Sequence, residues 1–268
     1  MGMRFVSLET DTGVLMITEY YRPKTIEEAL ILIARPNTVP LGGGTVLNQP
    51  NNVDFAVVDL QSLNLNQIRK NGNYLEIGAT VTMQTLLESK HTPTALINAI
   101  KREANINLRQ IGTVAGALVS SNGCSTFSTA ILALDSKLIL LPDEQVVTIG
   151  NLLPLRKELL KNKLIIKITI PLQVKLAFKY IARTPADRPI VCVAIAQWPS
   201  GRTRLALGGF GDSPVLAMDG NGTSGIEATA RNAFQEAADV WASAEYRMEI
   251  AAVLVKRCLY ELERKLDV

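Results

Sequence analysis

At 268 residues, with 47% hydrophobic and 20% charged residues, the chain has the balance of a well-cored globular protein and room for two domains sharing an interface. Its formal net charge of +3 is spread without a basic block, which argues against nucleic acid or an anionic membrane surface as partner. Cys124, Cys192 and Cys258 are far apart, odd in number and without a Cys-x-x-Cys pair, which speaks against a disulfide framework, a zinc site or an iron–sulfur cluster.

Reduced thiols and the lack of a basic flank leading into an apolar core near Met1–Leu15 fit a cytoplasmic protein without a signal peptide. No apolar run approaches the roughly 20 residues of a membrane helix. The one histidine, His91, lies in the polar run Ser89-Lys90-His91-Thr92-Pro93 and reads as a solvated loop residue. No catalytic triad assembles around it, so catalysis by this chain requires a cofactor.

In chain order, Phe5–Ile17 reads as a short hairpin or arm turning at Asp11-Thr12-Gly13, and Tyr20–Pro23 as extended chain. Thr25 caps a helix with Glu28 three residues on, and Pro36 ends it. The short strand Thr38–Leu41 delivers Gly42-Gly43-Gly44-Thr45, where the missing side chains let backbone N–H groups converge on an anion such as a diphosphate. Asn48–Asn52 is loop, and Ala56–Leu60 returns as a strand, giving a β-α-β unit. Tyr74–Ala79 alternates as a strand, Thr82 caps a helix through Leu87, and Ala95–Ala104 forms another.

Arg109–Ala117 then places Gly112 and Gly116 around Thr113, a second tight turn with a hydroxyl and a small-residue surface. The two turns are expected to face each other across a gap sized for pyrophosphate. Neither has the Gly-x-Gly-x-x-Gly form of a Rossmann turn, nor the Walker form. Ala130–Leu134 reads as a buried helix, Lys137–Leu141 and Gln145–Ile149 as paired strands, and Lys163–Ile170 as another strand. A domain boundary falls at 172/173. Beyond it come three strands, Ala177–Ala182, Ile190–Trp198 and Thr203–Phe210. A helix follows from Ile226 to about Trp241, and a last one from Ala244 to Leu266, with Tyr246, Ile250, Val253, Leu254 and Cys258 inward.

From Tyr20 to Leu262 this order resembles the FAD-binding medium subunit of the molybdenum hydroxylases, the family of carbon monoxide dehydrogenase and xanthine dehydrogenase. The likeness is carried by Tyr21–Leu30, Leu41–Leu47, Val58–Leu60, Leu75–Thr82, Arg109–Gly116 and the closing Tyr246–Arg257. It implies an α+β protein. Residues 1–172 would form an FAD-binding domain of the vanillyl-alcohol-oxidase (PCMH) type in two α/β subdomains, and 173–268 a smaller α+β domain of three strands and helices. It also implies a place in a complex, in which a molybdopterin-binding large subunit oxidises substrate and an iron–sulfur small subunit carries electrons. FAD on this chain would pass them to NAD, a quinone or oxygen.

Carried over by position, Gly42, Gly43, Gly44 and Thr45 would offer donors to the diphosphate, with Gly112, Thr113 and Gly116 on the other side. Leu41 and Leu47 would wall the adenosine or ribityl side. Thr126 stands where the family often has an Asp meeting the ribityl chain, and Arg183 and Asp187 match a pair near the flavin ring. Ala115 and Ala117 depart from the family's usual glycine and Asn or Ser. The alternative these departures raise is a flavin-free member acting as a scaffold or assembly subunit.

Overall fold

The computed structural model describes residues 3–4, 17–47 and 54–264. The arm expected over 5–17, apart from Ile17, and the loop expected over 48–52 lie outside them. The described chain builds three sheets. In the first, β1 (Met3–Arg4), β2 (Ile17–Tyr21), β3 (Thr38–Leu41) and β4 (Phe55–Asp59) take the order β1-β2-β4-β3, with β4 parallel to both β2 and β3. Helix α1 (Ile26–Ile33) provides the crossover between β2 and β3. Its start is fixed as the sequence implies: Thr25 Oγ1 accepts from Glu28 N at 3.2 Å, and Glu28 reaches back to the Lys24 N–H at 3.0 Å.

The second sheet is antiparallel, ordered β5 (Ile68–Asn71), β6 (Tyr74–Gly78), β9 (Leu164–Pro171), β7 (Lys137–Leu141), β8 (Gln145–Thr148). Strand β5 escapes a sequence reading because its residues are polar; Gly72, at φ +56°, closes the hairpin that pairs it to β6. Between β6 and β7 lie five short helices: α2 (Met83–Glu88), α3 (Thr94–Glu103), α4 (Ile106–Ile111), α5 (Val114–Val119) and α6 (Thr126–Ala133). All eight residues of α6 are buried. Helices α7 (Ile149–Leu152) and α8 (Arg156–Leu159) connect β8 to β9.

The third sheet is an antiparallel meander of β10 (Lys175–Ile181), β11 (Val191–Gln197), β12 (Arg202–Gly208) and β13 (Val215–Asn221), so a fourth strand joins the three expected. Its strand period of two divides it between two cores. Cys192, Ala194 and Ala196 of β11 pack in the large core that holds α6, while Val191, Val193 and Ile195 meet α9 (Ile226–Asn232) and α10 (Ala244–Arg264). That is why β11 reads as an unbroken apolar run. Cys192 and Cys258 are buried free thiols in these two cores, and burial pushes both up to about 12.

Candidate functional site

The two glycine segments touch; no gap separates them. A Cβ on Gly43 would lie 1.8 Å from the Ile111 carbonyl oxygen, and one on Gly42 2.6 Å from Thr113 Oγ1. Only glycine permits that approach of backbone to backbone. Gly44 has a separate reason, a φ of +67° that turns the chain away from β3. Among the described residues, the N–H groups of Gly43, Gly44 and Thr45 donate to no other protein group. Toward the described residues, the first turn therefore keeps these donors open.

The second segment is a helix, a two-residue link and a helix. Gly112 sits at φ −66° as the C-cap of α4, and Gly116 lies inside α5. Alanine-rich flanks favour helix there, and neither glycine needs a left-handed conformation. Its glycine amides are already bonded: Gly112 N donates to Leu108 O at 2.7 Å, and Gly116 N to Thr113 Oγ1 at 3.1 Å. What the segment presents to a ligand is the Thr113 hydroxyl, the Thr113 amide, which has no acceptor among the described residues, and a low surface. Replacing Thr113 with valine, which keeps the shape and removes the cap, is expected to lower stability by about 1 kcal/mol in urea unfolding.

Two clefts meet along this contact, sharing Thr45, Val46, Thr113 and Ser120. One, of about 240 Å³, is mostly apolar, with Leu47, Leu60, Val119, Leu160 and Ile165 in its walls. The other, of about 540 Å³, is the more polar of the two and is lined on its far side by residues 185–189 of the β10–β11 loop. Ala115 lines the first and Ala117 the second. Leu47 faces the apolar cleft, whereas Leu41 lines neither.

Thr126 is fully buried and reaches neither cleft wall; its Oγ1 stands 2.8 Å from Ala99 O and 3.0 Å from Glu103 Oε2. Asp187 does line the polar cleft, with Oδ2 accepting from Thr184 N at 3.0 Å. Arg183 lies outside both clefts, its guanidinium 4.8 Å from the Trp241 ring.

Two polar-cleft residues were not singled out from sequence. Arg102 holds the β10–β11 loop, donating to Thr184 O at 2.9 Å, Asp187 O at 2.6 Å and Pro185 O, with its guanidinium over the Tyr180 ring at 4.6 Å. Glu103 accepts from Ser125 Oγ, Thr126 Oγ1 and Phe127 N. Burial pushes its carboxyl above the usual range, and these donors, together with the Thr126 amide, offset only part of that. The signal was available: Glu103 follows Leu96, Ala99 and Ile100 at helical spacing, an acid on an apolar face.

An elongated ligand with an apolar end, a polar end and an anionic middle suits two unlike clefts joined at a run of open amides. Comparison with known proteins identifies the family. The family model described as the FAD binding domain in molybdopterin dehydrogenase matches residues 15–173, more than half of the chain. The chain is 28% identical over 251 residues to the uncharacterized protein YgfM of Escherichia coli (strain K12), covering 90% of this chain and 94% of that one. It is 26% identical over 220 residues to the glyceraldehyde dehydrogenase medium chain of Sulfolobus acidocaldarius, covering 75% and 78%. In fold it matches a carbon monoxide dehydrogenase structure from Hydrogenophaga pseudoflava, one lacking the Mo-pyranopterin moiety of the molybdenum cofactor. That match has a TM-score of 0.77 at 21% identity, over 90% of this chain and 95% of that one. Quinoline 2-oxidoreductase from Pseudomonas putida 86 gives a TM-score of 0.73 at 19% identity, over 92% and 96%. The chain belongs to the family of FAD-binding domains of molybdopterin dehydrogenases, with a fold of the vanillyl-alcohol-oxidase (PCMH) type.

Proposed function

We propose that this chain is the electron-transferring flavoprotein subunit of a molybdenum hydroxylase-type dehydrogenase. It receives electrons from an iron–sulfur small subunit, itself served by a molybdopterin-binding large subunit, and delivers them through FAD to NAD, a quinone or oxygen. The observation that carries this reading is the set of amides at Gly43, Gly44 and Thr45, unbonded among the described residues, which line the apolar cleft and reach, at Thr45, its junction with the polar one. It also favours the flavin-bound reading over a flavin-free scaffold.

Bound FAD supplies a redox centre that accepts electrons singly or in pairs. The protein's part is positional. The amides of Gly43–Thr45, with the hydroxyls of Thr45 and Thr113, hold the diphosphate in place of water. The apolar cleft takes the adenosine end, shielded by Leu47, Leu60, Val119 and Ile165. The polar cleft takes the ribityl chain and ring, beside Ser120, Glu103 and Asp187. Gly112 and Gly116 serve by being small. Residues 1–172 form the FAD-binding domain and 173–268 the C-terminal domain, whose β10–β11 loop completes the polar cleft. Among the described residues no helix is long and apolar enough to cross a membrane, and free thiols fit a cytoplasmic complex.

The test is a visible spectrum of the purified chain after incubation with FAD and gel filtration. Flavin absorption near about one FAD per chain is expected. A colourless protein that takes up no FAD overturns the proposal and leaves the scaffold role.

A further inference from the structure

Glu103 ends α3 and lines the polar cleft. Three donors converge on it: Ser125 Oγ stands 2.9 Å from Oε1, while Thr126 Oγ1, at 3.0 Å, and the Phe127 amide, at 2.8 Å, meet Oε2. Thr126 Oγ1 is also 2.8 Å from the Ala99 carbonyl oxygen. A hydroxyl carries one proton, so Thr126 cannot donate to both oxygens at once. A proton on Glu103 Oε2 removes the conflict. The acid then donates to Thr126, Thr126 donates to Ala99 O, and the Phe127 N–H still finds a lone pair on Oε2.

The ionised form has its own complete set. Thr126 turns its proton to Oε2, and the Ala99 carbonyl keeps its place in the hydrogen-bond ladder of α3. Oε1 then accepts from Ser125 at 2.9 Å and retains a lone pair, with the Thr126 amide also turned toward the carboxylate. Two satisfied networks that differ by one proton make a switch, and an added hydroxyl donor decides between them.

We propose that Glu103 couples occupancy of the polar cleft to a proton: it is a neutral acid in the free protein, and it ionises as a hydroxyl of the FAD ribityl chain donates to Oε1. The proton leaves to water through the open cleft, one per FAD bound, and no electron moves. This rests on the reading that FAD fills that cleft.

The surroundings supply little competing charge. Lys101 and Arg102 share its helix, and Arg102 is committed to the carbonyls of the β10–β11 loop. That loop also brings Asp187 and Arg188 to the cleft, and Cys124 precedes α6. Burial pushes Cys124 up and Cys192 of β11 up to about 12, so both thiols are neutral near pH 7. The first turn of α6 presents only hydroxyls and amides. Burial likewise pushes the Glu103 carboxyl up, which favours the neutral acid before the ligand arrives.

The experiment is calorimetric titration of the full chain with FAD, from about pH 5 to 8, in buffers of different ionisation enthalpy. Wild type is expected to release up to about one proton per FAD at the acid end, with Kd tightening as pH rises by at most about tenfold per unit. Glu103→Gln is expected to bind FAD with no proton release and a flat pH profile. Equal proton release in both overturns the proposal. If neither takes up FAD, the reading of the cleft as a flavin site fails instead, and thermal unfolding without FAD still judges the acid. A raised carboxyl pKa means that wild type loses stability relative to Glu103→Gln as pH rises through it. Parallel curves sink the neutral acid. Should Glu103→Gln not fold, Thr126→Val replaces it: loss of the relay hydroxyl moves the midpoint of the pH profile, and an unmoved midpoint counts against the switch.

Discussion

Gly43→Ala is expected to abolish FAD binding and to lower stability by roughly 3 kcal/mol. The new methyl would lie 1.8 Å from the Ile111 carbonyl oxygen, 2.6 Å from its carbon and 3.0 Å from Gly112 Cα. All three are backbone atoms, so no rotamer change relieves the clash, and the segments must part by more than about 1 Å. The link at Gly112 resists, because Gly112 O accepts from Met83 N at 2.8 Å and Val114 N donates to Val81 O at 2.9 Å. What yields is the first turn, and with it the alignment of the open amides at Gly44 and Thr45. Gly220→Ala is the control: it has no atom within 4 Å of the added methyl. Urea unfolding and bound-flavin absorbance, measured on both variants, decide the matter. A Gly43→Ala protein that stays yellow and stable would remove the turn-on-turn contact from the account of the site.

The sequence disclosed this site unevenly, for physical reasons. Three consecutive glycines announce a backbone that must come close to something, and the turn at Gly42–Gly44 was legible for that reason. What it approaches is a long-range fact. Nothing local distinguishes a glycine that admits a ligand from one that admits the Ile111 carbonyl. The second segment misled because Gly112 and Gly116 look like turn residues, whereas Thr113 caps a helix through Gly116. Family kinship supplied FAD, yet it pointed to Thr126, and the fold puts Thr126 behind Glu103.

The helices show the same division. Thr25 and Thr82 were readable as caps because capping is a matter of three or four neighbouring residues. The inward face of α10 was readable in part: Leu254 and Cys258 are buried as expected and Ile250 packs against their core, but Tyr246 and Val253 are exposed, and the buried stripe also takes in Arg247, Ala251, Val255 and Leu262. Hydrophobicity ranks tyrosine and valine above arginine and alanine, so the apolar pattern set the face about one residue out of phase. Small alanines pack closely on β10 and β11, and an arginine is buried where carbonyl groups are waiting for it.

That arginine carries the second large effect. Arg247→Met is expected to lower stability by about 3 kcal/mol, because the carbonyls of Ala237, Ala242 and Ile190 lose their buried donor. Arg247 is 1% exposed. Its guanidinium donates to Ala237 O at 2.6 Å, Ala242 O at 2.9 Å and Ile190 O at 3.2 Å, and to both oxygens of Asp239 at 2.9 Å. A cation in the first turn of α10 opposes the helix dipole, so these acceptors must outweigh that penalty as well as desolvation. Methionine fills the space and leaves the acceptors without a donor.

Asp239 adds a pH signature. Burial works against its ionisation, but the Arg247 guanidinium and the Trp241 and Ala242 amides outweigh burial and hold the carboxyl below its usual range. A depressed carboxylate pKa contributes stability above the unfolded value, near about pH 4, and that contribution is lost as pH falls through the folded value. Acid unfolding should therefore separate wild type from Arg247→Met less than unfolding at pH 7 does; an equal gap at both would put the loss down to packing alone. The consequence reaches the cleft, because the segment Arg247 fastens carries Trp241, on which Arg183 stacks at the start of the loop that walls the polar side. Weaker FAD binding in Arg247→Met, with no residue of the cleft changed, is the expected sign that the C-terminal helix holds that wall in place.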